Sequence, residues 1–312
     1  MMKLFHAHEI PQAAELMLQG IPVAFPTETV YGMGAPFSDQ KAVNRIFTLK
    51  GRPLDNPLIC HIAQLDDLYL LAREVPDEAL LLANHFWPGP LTLVLKRKEI
   101  VPDCVTGGLD TVAIRMPSHP LALELIQQVK APIVGPSANQ SGRPSSTSAQ
   151  HVIHDFQGKE CGVIDGGVTE EGLESTVVFL ADTPPLILRQ GAITQEMLEK
   201  VLGCEVKSAK GDTLKASPGT RYRHYAPRAQ VTIKRDFHDV HLLPNKKYFL
   251  ASTLAKEGYH HLKPSNLYQL LRKSDEELCD EVVIVCLDKE WNNLALRDRL
   301  LKASGHSSLS SY

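Results

Sequence analysis

Residues 50–61 read Lys50-Gly51-Arg52-Pro53-Leu54-Asp55-Asn56-Pro57-Leu58-Ile59-Cys60-His61. Two cations flank a glycine suited to end a helix, and two prolines fix the loop that leads into a short apolar strand. An arginine offers a planar fork to phosphate and a lysine offers a point charge. Because Asn56 and His61 follow on the same segment, it predicts a helix–loop–strand unit that binds a polyanion. Taken alone, the two cations fit equally well as solvated charges at a helix C-terminus.

Helices and strands alternate on both sides of this unit. Upstream, the apolar spacing predicts a helix over residues 9–19, a strand over 21–25, a loop over 26–34, and a helix that Asp39 caps and Gly51 ends. Downstream, it predicts strands at residues 58–62, 91–95, 112–115, 132–135, 162–165, 175–180 and 186–189, and helices at 66–74, 77–85, 121–129 and 195–202. This order predicts a mixed α+β or α/β domain of about two hundred residues.

Three segments follow one another along the 312 residues. We expect a main domain over residues 1–206, a basic and aromatic linker over 207–228, and a small α/β domain over 229–312. The last has strand patterns at residues 248–251 and 282–287, helical patterns at 266–272 and 292–302, and a frayed tail from 304.

Charge and composition narrow the class of protein. Residues 1–206 hold 15 Lys and Arg against 24 Asp and Glu, a balance of −9, whereas residues 207–228 carry +5. An acidic main body argues against strong nucleic-acid binding. The sequence has no apolar run of transmembrane length and no secretory signal. Its six cysteines are scattered without zinc-ligand spacing, which predicts a reduced, cytoplasmic compartment and no membrane partner.

Polar residues gather where the predicted strands end, as ligand sites do in open α/β sheets. The first group is Thr27, Glu28, Thr29 and Tyr31, which would also suit an ordinary turn with capping hydroxyls. Arg115 ends an apolar strand that begins at Thr111. A buried arginine needs a partner, which is either a ligand carboxylate or an internal Asp or Glu.

Three further polar clusters follow buried strands: the Ser137–Ser145 loop, Glu174-Ser175-Thr176 and Arg189-Gln190-Gly191. His151 and His154 read as a surface pair, because no third metal ligand is nearby. Since the chain lacks a P-loop, a dinucleotide fingerprint and a nucleophile elbow, the residues alone predict a small polar substrate beside a phosphorylated ligand. Catalysis would then depend on positioning and charge.

Six motifs in this order resemble the YrdC-like threonylcarbamoyl-AMP synthases. They are Pro-Thr-Glu-Thr-Val-Tyr-Gly at 26–32, the Lys-Gly-Arg-Pro segment at 50–61, Pro-Gly-Pro-Leu-Thr at 88–92, Thr-Val-Ala-Ile-Arg-Met-Pro at 111–117, Pro-Ser-Ala-Asn-x-Ser-Gly at 136–142 and Glu-Ser-Thr-Val at 174–177. The Ser-Pro-Gly-x-x-Tyr-x-His-Tyr-Ala-Pro linker at 217–227 is similar to that of the two-domain form. Cys60, Gly135 and Thr220 depart mildly from the usual residues.

The resemblance implies a YrdC-like catalytic domain with a twisted mixed sheet and a small Rossmann-like C-terminal α/β domain. It also implies that L-threonine, bicarbonate and ATP, with Mg²⁺ carried on the ATP, give threonylcarbamoyl-AMP and pyrophosphate. Partner proteins would transfer the threonylcarbamoyl group to tRNA, next to the anticodon. Threonine would be held by Thr29, His61, Arg115, Gly135 and Ser175. The nucleotide would be held by Arg52, Asn56, Thr111, Ser137, Ser145, Arg189 and Tyr225, with Lys50 and Arg52 supplying catalytic charge.

Two alternatives remain at this point. A carbamoyl-transfer enzyme of hydrogenase maturation shares the fold but expects an acylphosphatase-like domain and Cys-x-x-Cys motifs, which are absent from the sequence. A non-catalytic RNA-binding module is disfavoured by the −9 balance. For the linker, we expect residues 217–227 to fold across the nucleotide site as a flap, with Arg221, Arg223 or His224 near phosphates. The plain alternative is a basic tether between domains.

Overall fold

The computed structural model describes residues 2–216 and 224–305. Within these residues, a large sheet contains the strands β1 (Lys3–Phe5), β2 (Val23–Phe25), β3 (Gly32–Pro36), β4 (Ile59–His61), β5 (Leu91–Lys96), β6 (Thr111–Arg115), β7 (Ile133–Val134), β8 (Gly162–Ile164), β9 (Thr176–Phe179), β10 (Leu186–Arg189) and β11 (Lys207–Ser208). A small sheet contains β12 (Gln230–Lys234), β13 (Tyr248–Ser252), β14 (His260–His261) and β15 (Glu281–Val285).

Helices cover both sheets. In the first part of the chain they are α1 (Ile10–Leu18), α2 (Gln40–Lys50), α3 (Asp66–Leu71), α4 (Asp77–Phe86), α5 (Asp103–Thr106), α6 (Pro120–Val129), α7 (Ala149–Asp155) and α8 (Gln195–Leu202). Around the small sheet they are α9 (Leu267–Glu276), α10 (Asp288–Trp291) and α11 (Leu294–Ala303).

The large sheet is mixed, with the order β1-β8-β2-β3-β7-β4-β6-β5-β9-β10-β11. Its parallel pair β4–β6 sets His61 beside Arg115 in register, and the antiparallel pair β4–β7 sets His61 beside Ile133. The side chains of neighbouring residues in register point to the same face of a sheet. The imidazole of His61 and the guanidinium of Arg115 therefore lie side by side on one face at the centre of the sheet.

The segment over residues 50–61 forms the predicted helix–loop–strand unit. The Asp39 carboxylate caps α2 by accepting hydrogen bonds from the backbone N–H groups of Lys41 and Ala42, both at 3.0 Å. Gly51 ends the helix with φ of 62°, a left-handed conformation that glycine adopts without the steric penalty of a Cβ. The chain then turns through the loop into β4, so one side of the site is fixed by local sequence.

The small sheet is parallel throughout, in the order β12-β15-β13-β14. The apolar core under it includes Phe249, Tyr268 and Leu296, and it continues into Val30 and Tyr225 beside the large sheet. Burial of apolar surface stabilises a fold by roughly 25 cal/mol per Å². A continuous core across the two sheets therefore holds the C-terminal segment against the face that carries the strand-end polar residues.

The predicted fold class, a mixed sheet with a small α/β C-terminal domain, is confirmed. The loop predicted over residues 26–34 is partly wrong, because β3 begins at Gly32 and pairs with β2. Glycine-rich Gly32–Pro36 lacks the β-branched residues that mark a strand, and it is held by its neighbours instead. The short strands β1, β11, β12 and β14 were also not predicted.

The boundaries at residues 206 and 228 stay a prediction. Strand β11 lies one residue past the first of them and still pairs with β10. Residues 306–312 of the predicted tail and residues 217–223 of the predicted flap lie outside the described residues. In the part of the chain that the structure describes, no helix is long and apolar enough to cross a membrane.

Candidate functional site

A narrow cavity of about 50 Å³ lies where the strand-end polar residues meet. Eight of the predicted site residues line it: Thr29, Arg52, His61, Arg115, Gly135, Ser137, Arg189 and Tyr225. Clefts that hold ligands of drug size measure roughly 300–1,000 Å³. The cavity as observed is therefore too small for a nucleotide, and some lining residue has to move before one can enter.

Arg115 forms the charged centre of one wall. Its Nη1 donates to the Thr29 hydroxyl at 2.9 Å, its Nε donates to the Gly89 carbonyl at 3.2 Å, and its Nη2 lies 2.7 Å from a Glu28 carboxylate oxygen. The partner left open by the sequence is thus an internal glutamate. Glu28 in turn accepts from the backbone N–H of Ser118 at 3.2 Å. A buried pair of this kind keeps the guanidinium fixed at the cavity.

His61 lies beside Arg115 as a neutral ring. Burial, with the charge of Arg115 adding to it, lowers the pKa of His61 to about 3. Its Nδ1 has no hydrogen-bond partner among the described residues. The ring packs edge-on against Phe25, with centroids 5.3 Å apart. His61 therefore offers a ligand a hydrogen-bonding nitrogen and no charge.

Gly135 lines the cavity next to the His61 ring. A Cβ at Gly135 would lie 3.0 Å from the His61 imidazole and 2.8 Å from the Phe25 ring. Such distances are closer than side-chain packing tolerates, so larger residues would push the imidazole away. Glycine at this position therefore leaves room for the His61 ring beside Phe25.

Two hydroxyls complete this wall. The Thr27 hydroxyl accepts from the backbone N–H of Val30 at 3.2 Å, donates to its carbonyl at 2.6 Å, and lies 2.9 Å from the Thr29 hydroxyl. Thr27 therefore caps the turn, as expected if these hydroxyls belong to an ordinary turn. Thr29 presents its hydroxyl to Arg115, while the Tyr31 hydroxyl is held by Gly166 and Gly167.

Two more guanidinium groups line the cavity. Arg52 donates from Nη2 to the carbonyl of Pro57 at 2.9 Å. Arg189 lies at the end of β10, with Nε 3.0 Å from the Ser175 carbonyl and Nη2 3.1 Å from the Ser175 hydroxyl. Two guanidinium groups in one cavity suit an anionic ligand, because each can donate in a planar, paired geometry.

Five predicted site residues stand outside the lining. Lys50 is buried, and its ammonium donates to the backbone carbonyls of Ser137 and Asn139. Burial, aided by the charge of Arg52, holds the pKa of Lys50 well below its usual range. The position of Lys50 therefore ties α2 to the Ser137–Ser145 loop and does not offer a free charge to the cavity.

The other four residues support the walls or lie apart from them. Asn56 is buried, and its amide atoms have no hydrogen-bond partner among the described residues. The Ser175 hydroxyl lies 2.7 Å from that of Thr92, and the Ser145 hydroxyl donates to Glu174 at 2.6 Å. Thr111 pairs with Lys96 at the start of β6, away from the cavity.

Two linker residues, His224 and Tyr225, line the cavity. Tyr225 is buried and has φ of 66°, a left-handed conformation uncommon for a residue with a Cβ. Its ring stacks on Tyr268 of α9, with centroids 5.2 Å apart. Burial lowers the pKa of His224 to about 3, and Arg52 adds to the effect. The end of the linker therefore contributes two aromatic side chains to the lining.

Sequence reasoning gave no site role to Glu174, Asn139, Tyr268 or Arg299. Glu174 and Asn139 line the cavity, and their place in polar motifs was a usable signal. Tyr268 and Arg299 contact Glu174 from α9 and α11, which are more than ninety residues further along the chain. Nothing in an ordinary amphipathic helix pattern marks such residues.

The predicted surface pair of histidines is only half right. His154 is exposed, but His151 is partly buried, and its Nδ1 lies 3.3 Å from the Thr147 hydroxyl. Burial lowers the pKa of His151 to about 4. Across residues 2–216 and 224–305, no group of three or more His, Cys, Asp or Glu side chains is placed to hold a metal ion.

Comparison with known proteins adds two family matches. The family described as "Telomere recombination" matches residues 15–191, and the one described as "Threonylcarbamoyl-AMP synthase, C-terminal domain" matches residues 193–305. A Threonylcarbamoyl-AMP synthase of Pyrococcus abyssi is 45% identical over 94% of this chain and 93% of its own length. One of Bacillus subtilis is 42% identical over 95% and 93%.

A solved structure is similar over both sheets. The crystal structure of Pyrococcus abyssi Sua5 complexed with L-threonine is 42% identical, covers 98% of each chain and superposes with a TM-score of 0.88. The similarity therefore spans the cavity, the linker and the C-terminal segment together.

Proposed function

The chain belongs to the YrdC-like threonylcarbamoyl-AMP synthase family, and on that premise we propose that its cavity joins L-threonine, bicarbonate and ATP. The products are L-threonylcarbamoyl-AMP and pyrophosphate, and this is the first step of the threonylcarbamoyladenosine modification of tRNA. The observation that carries the assignment is a single cavity lined by Arg115 beside neutral His61 and by two further guanidinium groups, Arg52 and Arg189. We assign the first pair to a wall for the amino acid and the two further guanidinium groups to a wall for the polyphosphate.

Threonine fits the wall of Thr29, His61, Arg115 and Gly135. A carboxylate would take charge-assisted hydrogen bonds from the Arg115 guanidinium, whose position Glu28 fixes. The free His61 nitrogen suits a neutral or donating group, such as the hydroxyl of threonine, because the ring stays uncharged above a pH of about 3. Ser175, expected beside threonine, contacts Thr92 and Arg189, so it supports the wall proposed for ATP.

ATP fits the wall of Arg52, Ser137 and Arg189. Mg²⁺ would arrive on its phosphates and neutralise part of their charge, a role that needs no metal site of the protein's own. The unpartnered amide of Asn56 suits the same ligand once the surrounding loop adjusts. Lys50 contributes by holding the Ser137–Ser145 loop, and Ser145 by its bond to Glu174.

The reaction needs two anions brought together. The threonine amine, once deprotonated, adds to CO₂ with loss of a proton, or condenses with bicarbonate with loss of water, to give a carbamate. A carbamate oxygen then attacks the α-phosphorus of ATP, and pyrophosphate leaves. This sequence requires no covalent bond to the protein, so the acceleration comes from proximity and from cations that stabilise the developing charge. Arg115 on one side and Arg52 and Arg189 on the other supply those cations.

The linker serves as a lid in this proposal. Because His224 and Tyr225 line a cavity of only about 50 Å³, we expect these two side chains to move when ATP enters. Their return would exclude water from an adenylate that water destroys. Partner proteins that pass the threonylcarbamoyl group to tRNA would collect the product in the cytoplasm.

Release of pyrophosphate tests the function. The full chain with ATP and Mg²⁺ should release pyrophosphate only when threonine and bicarbonate are both present. An RNA-binding module would release none. A carbamoyl-transfer enzyme would use carbamoyl phosphate in place of threonine and bicarbonate, so the same assay with that substrate separates the remaining alternative.

A further inference from the structure

The C-terminal segment reaches the nucleotide wall with three buried side chains. Tyr268 and Arg272 lie one turn apart on α9, and Arg299 lies on α11. Residues four apart on a helix share a face, so α9 presents both side chains to the large sheet. Arg299 has no exposed surface, and Arg272 is 6% exposed. Two buried arginines are costly unless they are paired. Arg272 pairs with Asp155 in the first part of the chain, and Arg299 pairs both with Glu174 there and with Asp298 beside it on α11.

Arg272 forms hydrogen bonds with the end of the Ser137–Ser145 loop and with Ser146, the residue after it. It donates to the Pro144 carbonyl at 2.6 Å, the Ser145 carbonyl at 3.3 Å and the Ser146 hydroxyl at 3.2 Å. Its two Nη atoms also meet the two carboxylate oxygens of Asp155 at 2.9 and 2.8 Å. One planar group thus fixes both the loop backbone and the helix α7 beside it.

Asp155 extends this grip to the middle of the loop. Its Oδ2 accepts from the backbone N–H of Gln140 at 3.2 Å, and its carbonyl accepts from the Gln140 side chain at 2.8 Å. Burial would raise the pKa of Asp155, but the hydrogen bonds and charge of Arg272 outweigh it and hold the pKa below its usual value. The loop is therefore tied at two points to one ion pair that crosses from α9 to α7.

Glu174 is the second contact point. It lines the cavity, accepts from the Ser145 hydroxyl at 2.6 Å, and is held by the Tyr268 hydroxyl at 2.8 Å and Arg299 Nε at 3.0 Å. A bare carboxylate on the wall that receives ATP would repel its phosphates. Arg299 supplies the compensating charge, and Tyr268 sets the direction of the carboxylate.

We propose that Arg272 and Arg299 are positioning residues for the nucleotide: Arg272 sets the Ser137–Ser145 loop, and Arg299 neutralises Glu174. This inference rests on the proposed function, because it takes the wall of Arg52, Ser137 and Arg189 to be the ATP side. It makes the C-terminal segment part of the ATP site without placing either arginine in contact with the ligand.

Lysine cannot replace Arg272 in this role. A single ammonium can keep one Asp155 oxygen, but it cannot also reach the two carbonyls that the guanidinium bridges in one plane. The loop would loosen while the charge remained buried and paired. The Arg272→Lys substitution should therefore weaken the binding of ATP without changing the binding of threonine, because the residues of the threonine wall do not contact Arg272.

The first experiment compares Arg272→Lys with Arg235→Lys in the full chain. Arg235 belongs to the same C-terminal segment and pairs with Asp288, and neither of these two residues lines the cavity or belongs to the Ser137–Ser145 loop. Pyrophosphate release is measured against ATP and against threonine, with melting temperature alongside. Arg272→Lys should raise the KM for ATP about tenfold, as for one lost charge-assisted bond, with the threonine KM unchanged. Arg235→Lys should alter neither KM.

Three outcomes decide between the readings. An unchanged KM for ATP in Arg272→Lys overturns the inference, as does an equal rise of both KM values that follows the melting temperature in both variants. A wild-type chain that releases no pyrophosphate overturns the proposed function itself, and the inference with it. The first two outcomes leave the function standing, so the two failures are distinguishable.

The second experiment tests Arg299 by rescue. Arg299→Met removes the guanidinium that forms an ion pair with Glu174 on the ATP side, and calorimetric titration should show ATP affinity about tenfold or more below wild type. Adding Glu174→Gln removes the uncompensated charge and should recover most of that affinity. If the double variant binds ATP no better than Arg299→Met, neutralisation is not what Arg299 does, and the Arg299 half of the proposal is overturned.

Discussion

Replacing Arg115 with lysine tests the threonine wall most sharply. Two nitrogens of the guanidinium donate to the Gly89 carbonyl and the Thr29 hydroxyl, and the third forms an ion pair with the Glu28 carboxylate. A lysine ammonium can keep the Glu28 pair but cannot span the other two. Two hydrogen bonds from a charged group, lost at about 1.5–3 kcal/mol each, would lower stability by roughly 3–6 kcal/mol.

The same substitution should also weaken the binding of threonine. A carboxylate that loses a paired guanidinium contact loses about 1.5–3 kcal/mol, which is roughly ten- to hundredfold in affinity. We therefore expect the KM for threonine to rise by that factor in Arg115→Lys, while the KM for ATP stays within about twofold. The assay is pyrophosphate release with each substrate varied in turn, supported by calorimetric titration of threonine.

Arg97→Lys is the matched control. Arg97 follows β5 in the same sheet, pairs with Asp103 at 2.7 Å and donates to the Val101 carbonyl, so the substitution and its loss of bonds are alike. It lies away from the cavity and should leave both KM values unchanged. Equal threonine KM values for Arg115→Lys and wild type, or a parallel rise for ATP, would refute the assignment of this wall.

The remaining predictions concern the other wall, the lid, selectivity and pH. Arg52→Ala should weaken ATP binding by roughly ten- to hundredfold in calorimetric titration with little effect on threonine; unchanged ATP affinity would remove Arg52 from the site. Tyr225→Ala should still form the adenylate but lose it faster to hydrolysis, and equal product lifetimes would reduce the linker to a tether. Serine should compete with threonine better than valine does, because a group made to bond a hydroxyl is left unpaired by a methyl; pyrophosphate release with valine equal to that with threonine would contradict the pocket. Because the folded pKa values of His61 and His224 lie near 3, below the unfolded value of 6.5, stability should be complete above pH 6.5 and fall as pH drops toward 3. Each ring should contribute a loss of about 2 kcal/mol between pH 6.5 and 5, measured by urea unfolding, and a flat profile there would mean that the rings are not buried neutral.

Local signals made much of the fold predictable. Asp39 as a cap and Gly51 as a helix end fix α2 by contacts within a few residues, and the structure has both. Strand β3 was missed for the opposite reason, since Gly32–Pro36 has no strand propensity of its own and is held by pairing with β2 and β7. Propensity fails where tertiary contacts supply the stability.

In the site, too, features set by local sequence could be predicted and features set by tertiary contacts could not. Arg115 could be recognised because a charged residue at the end of an apolar strand needs a partner, but the choice between Glu28 and a ligand depended on how the loop after β2 folds. Lys50 shows the limit of such reasoning. Its cation was visible in the sequence, whereas its orientation toward the Ser137 and Asn139 carbonyls depends on packing between distant segments.

Contacts from the C-terminal segment could not be predicted at all. Arg299 reaches Glu174 across a sequence separation of 125 residues, and α11 reads as an ordinary amphipathic helix. A buried arginine differs from a solvated one only in what packs around it, and that is a property of the assembled fold.

Incorporation of labelled bicarbonate tests the central claim most directly. The full chain is incubated with ATP, Mg²⁺, threonine and ¹³C-bicarbonate, and the nucleotide product is analysed by mass spectrometry together with pyrophosphate. We expect an adenylate that carries one threonine and one labelled carbon, with one pyrophosphate released for each. An adenylate that carries threonine without the label, or pyrophosphate release that does not depend on bicarbonate, would contradict it.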